Sequence, residues 1–229
     1  MENRQWKMRF ERTTQLIGEA GLEKLQQAHV ILFGVGGVGG WCAEALVRTG
    51  VRHLTLVDFD QVSESNLNRQ IVATAANIGA SKVEEMKKRL LAIIPDANIT
   101  AINRKYDQET AGSFDLGQYD YIIDAIDTVD CKMLLLHEAT KSGATVFSSM
   151  GAGRKLDPQQ IRVAEFWKVE GCPLARALRT RMKKSDMLPQ KKFRCVYSPE
   201  LSGDRGTLAP VVGTFGMTLA SLVIRDILQ

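Results

Sequence analysis

At 229 residues, 45% apolar and 24% charged, the chain has the composition of an ordinary globular protein with enough hydrophobic residues for a sizeable core. A net charge of +4 is modest, and four scattered cysteines with no Cys-x-x-Cys pair argue against a disulfide framework and against a structural zinc site. The opening Met1-Glu2-Asn3-Arg4-Gln5-Trp6 holds no apolar run of an export signal, so a reducing cytoplasm is expected.

In chain order, Glu11–Gln27 reads as a helix with Leu16, Ile17, Ala20 and Leu25 toward the core. Val30-Ile31-Leu32-Phe33 is a continuous apolar run, as a parallel strand buried on both faces requires. A helix over 38–48 places Ala43, Leu46 and Val47 on one side, and a strand over 53–57 completes a βαβ unit. A helix over 81–94, a strand over 99–103, a strand over 121–125, a helix over 132–142 and a strand over 144–148 follow. This alternation predicts an α/β fold: a doubly wound, Rossmann-like, mostly parallel sheet with helices on both faces. Beyond Met150 the pattern loosens into a strand over 161–166 and an amphipathic helix over 173–184, with Leu174, Ala177, Leu178 and Met182 inward. A mobile stretch near 184–192 and a turn at Ser202-Gly203-Asp204 are expected next. The uncharged run 208–224 contains Pro210, Gly213 and Gly216 and reads as a packed terminal helix rather than a membrane anchor. The expected organisation is one domain, with a helical leader (1–28), a nucleotide-binding core (29–150) and a C-terminal elaboration (151–229).

Gly34, Gly36, Gly37 and Gly39 follow the first strand, where a tight turn lets backbone approach a phosphate at a helix N-terminus. Asp58 stands 19 residues after Gly39, where a carboxylate can bond a ribose hydroxyl, with Asp60 beside it. These features indicate a mononucleotide or dinucleotide and no particular reaction. Two cations, Arg69 and Lys82, with Asn66 and Gln70, suit a triphosphate whose α-phosphate gains charge under attack. A positive charge at a helix start is unfavourable unless an anion is near, although Lys82 can also be read as a solvated surface lysine. Asp127, past another strand end, can hold Mg²⁺ on the phosphates or cap the helix that follows. The segment 151–194 carries 12 Lys/Arg against 4 Asp/Glu, an asymmetry that favours a polyanionic partner.

Gly34 to Gly39, Asp58-Phe59-Asp60, Ser65-Asn66-Leu67-Asn68-Arg69-Gln70, Gly79-x-x-Lys82 and Asp124-x-x-Asp127 together resemble the ThiF/MoeB adenylyltransferase family, related to ubiquitin-activating enzymes. The resemblance spans roughly residues 9–150. It implies ATP-dependent adenylation of a carboxylate, with ATP held by the glycine loop, Asp58, Asp60, Asn66, Arg69, Gln70 and Lys82. It also implies catalytic roles for Arg69, Lys82 and Asp127, Mg²⁺ on Asp127, a homodimer, and Arg12 reaching into the partner subunit's site. Read from the residues alone, Arg12 is an ordinary helix-face charge.

The second half lacks the paired Cys-x-x-Cys zinc ligands of the sulfur-carrier-activating members. Ser148-Ser149-Met150-Gly151-Ala152, Lys155-x-Asp157-Pro158, the run from Pro173 to Thr180, and Val196-Tyr197-Ser198 with Glu200 instead resemble the branch that dehydrates threonylcarbamoyladenosine in tRNA. In that reading tRNA is the partner, and sulfur-transfer proteins are further candidates. Lys155, Arg176, Arg179, Arg181, Lys183 and Lys184 would contact its phosphates, with Phe166, Trp167, Phe193 and Tyr197 available for stacking. Cys195, near Lys191, Lys192 and Arg194, is a candidate thiol nucleophile, though a structural role is the better reading. The alternatives are an enzyme that adenylates a ubiquitin-like or sulfur-carrier protein, a nicotinamide-dependent oxidoreductase, and a non-catalytic RNA-binding protein. The oxidoreductase leaves Arg69 and Lys82 without a role.

Overall fold

In the computed structural model, residues 8–203 and 205–229 are described, so the N-terminal hexapeptide and Asp204 of the expected turn lie outside them. Seven strands form one sheet: β1 (His29–Phe33), β2 (His53–Asp58), β3 (Asn98–Asn103), β4 (Tyr121–Asp124), β5 (Thr145–Ser149), β6 (Arg162–Glu165) and β7 (Arg194–Tyr197), in the order β3-β2-β1-β4-β5-β7-β6. Every pairing is parallel except β6 with β7. Among the described residues the six longer helices are α1 (Glu11–Gln27), α2 (Gly39–Thr49), α3 (Lys82–Ile93), α4 (Val129–Ala139), α5 (Pro173–Ser185) and α6 (Ala209–Ile227).

Strand order reverses between β1 and β4, the place where the crevice of a doubly wound sheet opens. Each face of the sheet has its own core. One gathers Leu25, Leu46, Val47, Val83, Phe215 and Leu219 beneath α1, α2, α3 and α6. The other gathers Phe33, Tyr106, Leu135, Phe166, Leu178 and Phe193 beneath α4 and α5. Burial on both sides explains why β1 reads as an unbroken apolar run from Val30 to Phe33. The apolar run of α6 is long enough to cross a membrane, but Val211, Val212, Phe215, Leu219 and Val223 pack into the core. Gly216 lets α6 approach α2: a Cβ there would lie 2.5 Å from the Val38 carbonyl oxygen.

Several expectations are corrected. Leu16 and Ala20 are exposed rather than inward, because Gly18 (φ 76°, ψ 168°) interrupts α1 and the second segment resumes in another phase, burying Gly21, Leu22 and Leu25. In α5 the buried stripe is Ala175, Leu178 and Met182, and Ala177 faces out. The helix expected over 132–142 begins at Val129 and ends at Ala139. Strand β7 was not expected: four residues after a lysine-rich stretch carry too little periodicity, yet β7 joins β5 to β6 and extends the sheet into the C-terminal elaboration.

Candidate active site

The carboxyl ends of β1, β2, β4 and β5 open onto a cavity of about 530 Å³. Its wall contains Gly34, Gly36, Gly37, Asp58, Asp60, Asn66, Arg69, Gln70, Lys82 and Asp127, so the fold gathers residues spread over 94 positions of sequence. Gly39 is the one member of the expected nucleotide set behind that wall, where a Cβ would collide with the Gly34 carbonyl oxygen at 1.8 Å. Gly34 itself has φ +91°, and a Cβ there would sit 2.6 Å from the Ala125 carbonyl oxygen. Close backbone approach by itself requires Gly34 and Gly39, whereas a Cβ at Gly36 would meet nothing nearer than Gln70 Nε2 at 3.8 Å.

Asp58 closes the loop: its Oδ2 accepts from the Val35 amide at 2.6 Å and its Oδ1 from the Asp60 amide at 2.9 Å. Each oxygen keeps a lone pair for a sugar hydroxyl. Lys82 is 4% exposed and holds Asp60 Oδ2 at 2.8 Å, which removes the solvated-surface reading of that lysine. Arg69 Nη1 donates to the Ser65 carbonyl at 2.7 Å and to Asn68 Oδ1 at 2.8 Å, which curls its guanidinium over its own loop. Asn66 Oδ1 accepts from the Ser63 amide at 3.1 Å, closing a short helical turn. Gln70 is buried, and its Oε1 has no partner, an acceptor on the cavity wall left for a ligand or water. Asp127 is exposed at the rim; Thr128 takes the N-cap position of α4, so the capping alternative for Asp127 falls away.

Five helices begin at this cavity. Val38, Lys82, Thr128, Leu174 and Val212 line it, and each belongs to the N-cap or first turn of α2, α3, α4, α5 or α6. Their free amides and aligned dipoles make the space hospitable to anions beyond what Arg69 and Lys82 supply.

Some of the wall was not legible in the sequence. Arg104, Lys105 and Tyr106 enter from the end of β3, with Lys105 Nζ 5.9 Å above the Phe59 ring. Their position past a strand end was the available signal. Ser149, Met150, Gly151 and Leu174 line the side away from β2. Beneath β4 lies a fully buried ion pair of Asp124 with Lys132 at 2.7 Å, a pairing that no local pattern announces.

The basic segment is only partly available to a ligand. Lys155 is 3% exposed and donates to the Ser198 and Glu200 carbonyls at 3.0 and 2.6 Å, so it is no surface contact for RNA. Burial lowers its pKa below the usual lysine value. Arg179 Nη1 donates to the Phe166, Trp167 and Val169 carbonyls, which makes it a clamp on that turn. Arg181 is exposed and paired with Asp130. Arg176, Lys183 and Lys184 are exposed along α5, with Lys183 Nζ 5.6 Å above the Trp167 ring. Of the four aromatic residues considered for stacking, Phe166, Phe193 and Tyr197 are core and Trp167 is exposed. Cys195 is fully buried on β7, and burial pushes its thiol well above its ordinary range, the reverse of what a nucleophile needs.

A family model described as ThiF family matches residues 10–229. The tRNA threonylcarbamoyladenosine dehydratase of Bacillus subtilis (strain 168) is 39% identical over 191 residues, covering 83% of this chain and 74% of that protein. The enzyme of the same description from Escherichia coli (strain K12) is 38% identical over 201 residues, covering 85% and 75%. A crystal structure of the E. coli tRNA N6-threonylcarbamoyladenosine dehydratase in complex with ATP superposes with a TM-score of 0.91 at 35% identity, covering 97% of this chain and 94% of that one.

Proposed function

The chain belongs to the ThiF family, and from that premise we propose that it is an ATP-dependent tRNA threonylcarbamoyladenosine dehydratase. The observation that carries the reading is the gathering of Arg69, Lys82 and Asp127 around one cavity beside the glycine turn. In the reaction, the threonyl carboxylate on adenosine 37 attacks the α-phosphorus of ATP and pyrophosphate leaves. An atom of the carbamoyl group then attacks the activated carbonyl carbon, the ring closes and AMP departs, a net loss of water. Asp58 is positioned to bond ribose. Arg69 and Lys82 stabilise the charge that grows on the α-phosphate and on the leaving group.

Among the described residues no three His, Cys, Asp or Glu side chains cluster as a self-sufficient metal site. The exposed carboxylate of Asp127 on the cavity wall suits Mg²⁺, which is usually held by one or two carboxylates together with substrate phosphates. Asp127 would hold it, and the ion would neutralise phosphate charge.

The rest of the reading concerns partners. Arg176, Lys183 and Lys184 form a cationic face for tRNA, with Trp167 beside them. Arg12 is exposed, and its side chain makes no hydrogen bond or ion pair with the described residues, which suits a residue that completes the site of a second subunit in a homodimer. We place the protein in the cytoplasm, with sulfur-transfer proteins as further partners. The decisive experiment incubates purified protein with ATP, Mg²⁺ and tRNA bearing threonylcarbamoyladenosine. AMP and pyrophosphate should appear and the nucleoside should lose the mass of one water. Unchanged nucleoside mass with adenylate on a protein C-terminus would instead identify an activator of a ubiquitin-like or sulfur-carrier protein.

A further inference from the structure

A fully buried ion pair is an expensive way to fill a core, because desolvating both charges commonly costs more than their attraction returns. Asp124 and Lys132 are each 0% exposed, and neither has a part in the nucleotide contacts described above. Their hydrogen bonds share a destination. Lys132 Nζ donates to Asp124 Oδ2 at 2.7 Å and to the Ile126 carbonyl at 2.9 Å. Asp124 Oδ1 accepts from the Ile126 amide at 3.1 Å, and its Oδ2 also accepts from Ser148 Oγ at 2.6 Å. Both polar groups of the Ile126 backbone are therefore held by this one pair. Ala125, Ile126 and Asp127 line the cavity, and the Ala125 carbonyl is the atom that Gly34 must approach. On β5, Ser148 immediately precedes Ser149 and Met150, which line the opposite side.

We propose that Asp124, Lys132 and Ser148 are a buried positioning set that fixes the 125–127 loop and so aims the Asp127 carboxylate at the phosphate end of the cavity. The set acts through Asp127 and the proposal rests on the adenylating reading of that cavity. An apolar pair of similar volume would fill the same core but leave the Ile126 amide and carbonyl without partners, free to seek water by moving the loop. A displacement of about 1 Å at a reacting centre can cost on the order of 100-fold in rate.

The test is a double-mutant cycle between Lys132→Gln and Asp127→Ala, read in AMP release at saturating ATP and in MgATP affinity by calorimetry. We expect Lys132→Gln to lower turnover by about 10- to 100-fold in the otherwise intact chain. In the Asp127→Ala background it should change MgATP affinity and any remaining turnover by no more than about twofold, and Lys132→Arg should recover most of the loss. The same fold-loss in both backgrounds would make the pair a purely structural element and overturn the proposal. If Lys132→Gln does not fold, Ser148→Ala leaves the ion pair in place and carries the same cycle. A wild-type protein that leaves the tRNA nucleoside unchanged would refute the dehydratase reading, while the MgATP affinities would still decide the positioning role.

Discussion

At the scale of single residues, the site separates groups that hold the cavity's shape from groups left facing it. Asp58 and Asp60 do both, since each is bound to the chain and lines the cavity. Replacing Arg69 or Lys82 by Ala should lower AMP release by about 100- to 1,000-fold, the usual cost of removing one donor to a developing charge. Affinity for tRNA, measured by filter binding, should stay within about twofold, because neither residue lies on the α5 face. A near-normal rate at saturating ATP in either variant would refute the α-phosphate assignment. Gly34→Ala should act differently. At φ +91° with a carbonyl oxygen 2.6 Å from the new Cβ, the cost is strain of about 1–3 kcal/mol, seen as a lower melting temperature. The sequence announced these positions because their spacing relative to strand ends is local. It could not announce the Asp124–Lys132 pair, whose meaning depends on burial by both faces of the sheet.

At the scale of elements, the C-terminal elaboration shows how composition can mislead. A concentration of Lys and Arg in residues 151–194 reads as an RNA surface, yet several of these cations serve backbone carbonyls of irregular segments. Lys155 binds Ser198 and Glu200, Arg179 binds the 166–169 turn, Lys191 binds Ser142 and Ala144, and Arg154 binds Ser202 and Gly203. Carbonyls outside helices and sheets need donors, and long cationic side chains reach them. The two roles predict different phenotypes. Charge reversal at Arg176, Lys183 and Lys184 together should weaken tRNA binding and reduce its salt slope by up to about three units, with little change in melting temperature. Arg179→Ala should lower the melting temperature, and an altered salt slope in that variant would return Arg179 to the RNA surface. Helix α1 carries a similar lesson: its apolar positions were visible, but Gly18 shifts their phase, so Leu16 points outward at 86% exposure.

At the scale of the whole molecule, His53 and Glu44 are among the groups whose titration shapes how the fold responds to acid. His53 stacks on His29 at 4.5 Å, and burial, with His29 and Arg52 nearby, holds its pKa below the ordinary 6.5. The unfolded chain then binds a proton that the folded one resists, so stability falls as pH drops through about 6.5. Glu44 sits between α2 and α3; burial pushes its pKa up, but hydrogen bonds from Arg89 and Arg48 prevail and leave it below the usual 4.5. Its contribution is complete above 4.5 and is lost as pH falls through the lower folded value. Melting temperature against pH should therefore decline in two stages. Glu44→Gln should flatten the stage below 4.5, and His53→Gln the stage below 6.5; an unchanged profile would remove the corresponding residue from the account. The sequence by itself determined the alternation of strands and helices, the glycine turn and most of the expected residues that the fold gathers around the cavity, because those signals lie within a few residues of strand ends. Only the tertiary structure decided which cations remain free, which face of α1 is buried, and why Asp124 faces Lys132. Those outcomes follow from burial and from the competition of carbonyls for donors, and both arise between segments far apart in the chain.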